Sequence, residues 1–143
     1  MTDIAPGSIC HESAAGGTNS YLALSSVDAD GQLRCVPIGS DAPPSSASTL
    51  SLRKEDTSFA AEGLWLRLDR AGWRAVDGLT FVGHASHKCL ARVHRELAKA
   101  EARAFAQTIV EPAFKPGVTP IPPSGKVIGA PEFEHLVDSS LDG

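Results

Sequence analysis

Apolar and polar residues alternate along this chain with two different periods, and the change of period divides it. Strand-like runs at Tyr21–Val27 and Gln32–Ile38 flank Asp28-Ala29-Asp30-Gly31, a four-residue connection whose glycine can take positive φ, which predicts a hairpin. Leu64, Leu66 and Leu68 alternate with Trp65 and Arg67, residues Asp69 to Gly72 supply a turn, and Trp73 to Val76 return, which predicts a second hairpin. Leu79 to Val82 predicts a further strand, and Gly39 to Thr49, rich in Pro, Ser and Ala, reads as a loop. Several short strands at this spacing predict a small β-rich, barrel-like domain over residues 1–85.

Beyond residue 85 the period lengthens. Ser86 can cap a helix in which Leu90, Val93, Leu97, Ala104, Phe105 and Ile109 form an apolar stripe and which Pro112 ends, predicting an amphipathic helix at 86–111. Prolines at 112, 116, 120, 122 and 123 fix φ and remove backbone donors, so residues 112–130 are expected to run as an extended arm. Pro131 suits a first helical turn, and Glu132 and Glu134 lie where the helix dipole favours negative charge. Phe133, Leu136, Val137 and Leu141 then give a short terminal helix at 131–143 one apolar face that needs a partner: without a larger enzyme body, the helix is expected to dock on this chain, pair with a second copy, or fray. The fold class expected is α+β.

Composition adds bounds rather than chemistry. The 143 residues suffice for one ordinary domain, or a small domain with an appendage, and the 42% hydrophobic content for a core. No apolar run is long enough to span a bilayer, and the first twenty residues lack a basic start, so a cytoplasmic protein without membrane partners is expected. Cys10, Cys35 and Cys89 are odd in number and lack CxxC spacing, which favours reduced thiols. The net charge of −4 is unevenly spread: residues 1–85 carry six basic and ten acidic groups, 86–110 five and two, and 111–143 two and five. If the chain meets nucleic acid, the basic middle segment supplies the phosphate contacts, with Lys88, Arg92, Arg95, Lys99 and Arg103 as candidates. The competing reading pairs them with Glu96 and Glu101 on a solvated helix face.

His84, His87 and Cys89 place three possible metal ligands within six residues, in a spacing unlike a zinc finger or ribbon, and no metal is expected. Cys10 and His11 are strand neighbours facing opposite ways and cannot form a nucleophile–base couple. Trp65 and Trp73 are expected to pack in the core or across strands rather than stack on bases.

The stretch from Pro122 to Gly129 (PPSGKVIG), followed by Leu136 to Gly143 (LVDSSLDG), resembles the N-terminal arm of the pyridoxamine-phosphate-dependent CDP-4-keto-6-deoxyglucose 3-dehydrases of the sugar aminotransferase superfamily. That resemblance implies the leading segment of a deoxysugar-biosynthesis enzyme without its catalytic domain, inactive alone. Pyridoxamine phosphate and an iron–sulfur centre would then belong to sequence beyond Gly143, with no cofactor bound here, and Lys126 would be an arm residue rather than a catalytic lysine. A second resemblance, over residues 1–105, is to the MazF/PemK growth-inhibitor toxins, small SH3-like barrels that cut RNA. It rests on Pro6-Gly7-Ser8-Ile9, Val36-Pro37-Ile38-Gly39-Ser40 and Ala61-Glu62-Gly63-Leu64. This alternative implies a toxin–antitoxin protein with RNA or an antitoxin as partner, and Ser40 and Arg34 as candidate catalytic residues. The family usually opens its second strand with Arg-Pro, where this chain has Asn19-Ser20-Tyr21.

Overall fold

The structure is a computed structural model that describes residues 4–41, 48–58, 63–108, 115–118 and 129–141. The chain divides into two compact units, Met1–Glu96 and Leu97–Gly143. The described residues of the first form seven strands: β1 (Ser8–Ala14), β2 (Gly17–Ala23), β3 (Gln32–Gly39), β4 (Thr49–Ser51), β5 (Trp65–Arg67), β6 (Gly72–Ala75) and β7 (Leu79–His84). All described pairings are antiparallel, in the order β4-β5-β3-β2-β1-β7, with β6 also paired to β3. Helix α1 (His87–Thr108) and helix α2 (Ala130–Leu141) complete the α+β fold. No described helix is long and apolar enough to cross a membrane. Most of the loop read at 39–49 and of the proline arm, with Ile109, Pro112 and Lys126, lies outside the described residues.

The β2–β3 hairpin forms for the reason the sequence suggests. Asp28 Oδ1 accepts hydrogen bonds from the backbone N–H groups of Asp30 (3.0 Å) and Gln32 (2.8 Å), and Gly31 takes φ +71°, closing the turn. Residues Ser20 to Ala23 then register against Ile38 to Cys35.

The second expected hairpin does not form. β5 and β6 do not pair with each other; both lie along β3, β5 through Ile38↔Leu66 and β6 through Gln32↔Ala75 to Cys35↔Gly72. Between them Leu68–Arg70 make a 3-10 turn instead of reversing the chain. Arg34 spends its backbone on the β2 side, donating N–H to Ser25 Oγ and accepting from Leu24 N–H. By alternation Pro37 therefore turns toward the β5–β6 side, where it has no N–H to give. The partner strand is interrupted opposite that gap, and this carries Arg70 out of the ladder.

The sheet buries one cluster made by Ile4, Cys10, Tyr21, Ala23, Leu33 and Cys35. Ile9, Leu22, Val36 and Leu66, also fully buried, sit at alternate strand positions and so on the other face. Ser86 caps α1 by accepting from Cys89 N–H at 3.1 Å, and Cys89 and Val93 are fully buried. All three thiols are buried and unbridged, and burial pushes Cys10 up and both Cys35 and Cys89 to about 11. A thiol-specific chromogenic reagent at neutral pH is therefore expected to react slowly with the native protein and with all three cysteines after denaturation. Rapid reaction of even one native thiol would contradict this packing.

In the second unit, α2 follows the expected pattern at its start, where Glu132 Oε2 accepts the backbone N–H of Gly129 at 2.9 Å. Its apolar face is split. Phe133 meets Phe105 of α1 edge-on, with centroids 6.0 Å apart, while Leu136 and Leu141 stay exposed.

Candidate functional site

A cleft of about 590 Å³ opens in the first unit where β2 begins and β3 ends. Thr18, Asn19, Ser20 and Tyr21 of β2 form one wall, and Pro37, Ile38 and Gly39 of β3, with Ser40 and Asp41 after it, form the other. Leu64, Arg70 and Arg74 line the remainder. The Tyr21↔Pro37 and Ser20↔Ile38 pairings hold the two walls together. Arg70 arrives through the 3-10 turn and Arg74 through the Leu33↔Arg74 register, so both guanidinium groups depend on β6 running along β3.

Tyr21 ties the cleft to the sheet. Its hydroxyl donates to Glu12 Oε2 at 2.9 Å, the Arg74 guanidinium carbon lies 4.3 Å from its ring centroid, and Arg74 Nη1 stands 3.5 Å from the same Glu12 oxygen. Glu12, Tyr21 and Arg74 thus close a triangle that fixes the guanidinium over the aromatic face. Arg74 is exposed, so the remainder of its donor fork faces the cleft and solvent. Burial, and then the hydrogen bond to Glu12, raise the Tyr21 phenol above its ordinary range, and Arg74 works against them. Tyr21 is the single tyrosine of the chain, so tyrosinate absorbance reports this site alone. Its titration midpoint is expected above that of a free tyrosine, lower in Glu12→Gln and higher in Arg74→Ala. A midpoint indifferent to both substitutions would mean the triangle does not form in solution.

The residues singled out in the sequence fall in several places. Ser40 lines the cleft, but Arg34 does not. Cys35 belongs to the Tyr21 cluster, and Arg34, its strand neighbour, points to the opposite face. Trp73, expected to pack, is 61% exposed, and Trp65 is half-buried. Of the basic series on α1, Arg92 pairs with the buried Asp56 at 2.6 Å, Lys99 with Asp138 at 3.0 Å and Arg103 with Glu134 at 2.7 Å, while Lys88 is exposed and Arg95 is half-buried. Arg92, Lys99 and Arg103 thus reach carboxylates distant in sequence. No described group of three His, Cys, Asp or Glu side chains could hold a metal ion; Cys89 is buried, His84 and His87 are exposed, and the His84 ring lies 4.7 Å from that of Phe81. Sequence reasoning missed Arg70, Arg74, Tyr21 and Glu12. The available signal was Arg70 and Arg74 at i, i+4 around a glycine, which the hairpin reading absorbed as turn and return strand.

No protein family model and no curated protein matches the chain. Among solved structures, it is similar to MazE–MazF from Deinococcus radiodurans, with a TM-score of 0.53 and 17% identity over 68% of this chain and 92% of that one. It is also similar to an endoribonuclease in complex with its cognate antitoxin from a mycobacterial species, with a TM-score of 0.56 and 13% identity over 71% and 95%. The fold is MazF-like. At these identities the likeness extends to the fold alone. Nothing in these comparisons supports the resemblance of residues 112–143 to sugar 3-dehydrases. The matched share of this chain is close in length to its first unit, Met1–Glu96.

Proposed function

We propose that the chain is a growth-inhibitor-type endoribonuclease whose cleft on β2 and β3 binds and cuts single-stranded RNA, with a protein antitoxin as its partner. The observation that carries this reading is the cleft itself: two arginines, three aliphatic hydroxyl side chains and one carboxylate converge on a MazF-like sheet. Arg74 takes the place of the arginine that such toxins usually carry at the start of the second strand, where this chain has Asn19-Ser20. The charge comes from a different strand and is held over the Tyr21 ring of β2.

The reaction follows from these groups. The 2′-oxygen of a ribose attacks the adjacent phosphorus, and its proton passes to the Asp41 carboxylate. The bond from phosphorus to the 5′-oxygen breaks, a 2′,3′-cyclic phosphate forms, and the departing 5′-oxygen takes a proton from water. Arg74 and Arg70 bind the non-bridging oxygens as negative charge accumulates there, and Ser40, Ser20 and Thr18 donate hydrogen bonds to the same strand. Such an activity belongs in the cytoplasm, where RNA is the substrate.

The test is incubation of the purified chain with a single-stranded RNA, the same sequence as duplex, and its deoxy counterpart. Fragments ending in cyclic phosphate are expected from the single strand and none from DNA, which has no 2′-hydroxyl. Equal cutting of DNA, or no cutting with protein in molar excess, would overturn the reading.

A further inference from the structure

The second unit carries a charge arrangement that the cleft does not explain. Lys99 and Arg103 lie four residues apart on α1, and Asp138 and Glu134 lie four residues apart on α2. They meet in antiparallel order, Lys99 with Asp138 at 3.0 Å and Arg103 with Glu134 at 2.7 Å, one guanidinium nitrogen reaching both Glu134 oxygens. Phe105 and Phe133 dock edge-on beside them. Residues 129–141 contain three carboxylates and no lysine or arginine, whereas α1 carries five basic and two acidic side chains. Arg103 holds the Glu134 carboxyl below its ordinary range, so this pair persists at neutral pH and breaks only on acidification below that range.

The four side chains keep between 20% and 48% of their surface in solvent, and ion pairs that remain so accessible to water and salt add modestly to stability, so a helix hairpin has small energetic reason to match two consecutive turns charge for charge. The arrangement has a larger effect on polyanions. Each cation that α2 neutralises on α1 is unable to displace a counterion from a phosphate, and affinity for single strands weakens with each one so occupied. The solved structures similar in fold are matched over nearly their whole length by a share of this chain the size of its first unit.

From this we infer that the Lys99–Arg103 face of α1 is a nucleic-acid-binding surface and that α2 is an acidic clasp that covers it in cis. The clasp is displaced when a nucleic-acid strand supplies phosphates in place of Glu134 and Asp138. RNA docking is thereby restricted to strands long or concentrated enough to compete. The surface is independent of the catalytic assignment and adds to it a built-in brake on RNA binding.

The test uses the full chain and a fluorescein-labelled 2′-O-methyl oligouridine of about a dozen nucleotides, which cannot form a cyclic phosphate. Glu134→Gln/Asp138→Asn is expected to tighten binding about tenfold at low salt and to steepen the slope of log K against log salt by about 1.4, two single-strand phosphate contacts. Adding Lys99→Gln/Arg103→Gln to that variant should remove both gains. The charge swap Arg103→Glu/Glu134→Arg, which rebuilds the pair and guards against misfolding as an explanation, should bind as the unmodified chain does. Repeating the series with Arg70→Ala/Arg74→Ala separates the two surfaces, because the α1 gain should survive loss of the cleft. The inference is overturned if the neutral variant binds no tighter, if its gain survives loss of Lys99 and Arg103, or if the charge swap gains as much as neutralisation.

Discussion

Replacing Arg74 with alanine is expected to lower RNA cleavage by about 100- to 1,000-fold, the loss typical of removing a preorganised donor from a developing oxyanion. Arg74 is exposed, and its ties are the stacking on Tyr21 and the 3.5 Å approach to Glu12, so the fold should survive the change. Arg74→Lys should recover little, because an ammonium can neither stack its plane on Tyr21 nor present a paired donor fork. Arg70→Ala should cost less, about tenfold, because this residue lines the rim from a 3-10 turn. Single-turnover rates measured with thermal melts check both points. An Arg74→Ala variant that cuts RNA at the unmodified rate would move the catalytic centre elsewhere.

The second large effect concerns stability. Asp56 is 4% exposed and acts as a junction: its Oδ2 accepts from Arg92 Nη2 at 2.6 Å and from Arg53 N–H at 2.7 Å, while its carbonyl accepts from Ser86 N–H at 2.7 Å. Arg92 Nη2 also donates to the Ser51 carbonyl at 3.0 Å, joining β4, the Lys54–Asp56 turn and the start of α1. Removing the carboxylate leaves a half-buried guanidinium with its counter-ion gone and a turn without its cap. Asp56→Ala is therefore expected to cost about 3–5 kcal/mol in urea-induced unfolding. Asp69→Ala breaks the more exposed pair with Arg67 and should cost less than about 1 kcal/mol. Equal losses for the two variants would show that the buried junction carries no special weight.

Arg74 and Asp56 also mark what could be read from the sequence. Local signals were legible: the Asp28–Gly31 turn, the Ser86 cap and the terminal helix with Pro131 in its first turn all follow from short-range chemistry. The fold class followed from them. Pairing across distance was not legible. The alternation of Leu64, Leu66 and Leu68 revealed the inward face of β5 but not that β6 would continue along β3, a result that hangs on the missing N–H of Pro37. With that register wrong, Arg74 could not be placed over Tyr21, and Arg34 stood as the candidate arginine instead. Asp56 offered no pattern at all, since its partner is 36 residues away. The terminal wording resembled a dehydrase arm, yet the helix it contains meets α1 through Phe133, Glu134 and Asp138, contacts that depend on charge and ring geometry rather than on family wording.

The most direct measurement is a titration of the isotopically labelled protein with a non-cleavable single-stranded RNA, followed by backbone amide resonances. Occupation of the cleft predicts that the largest shifts fall on Thr18 to Tyr21 and Gly39 to Asp41, the two walls that Arg70 and Arg74 overlook. Saturable binding that leaves those amides unmoved would contradict the assignment of the cleft as the RNA site.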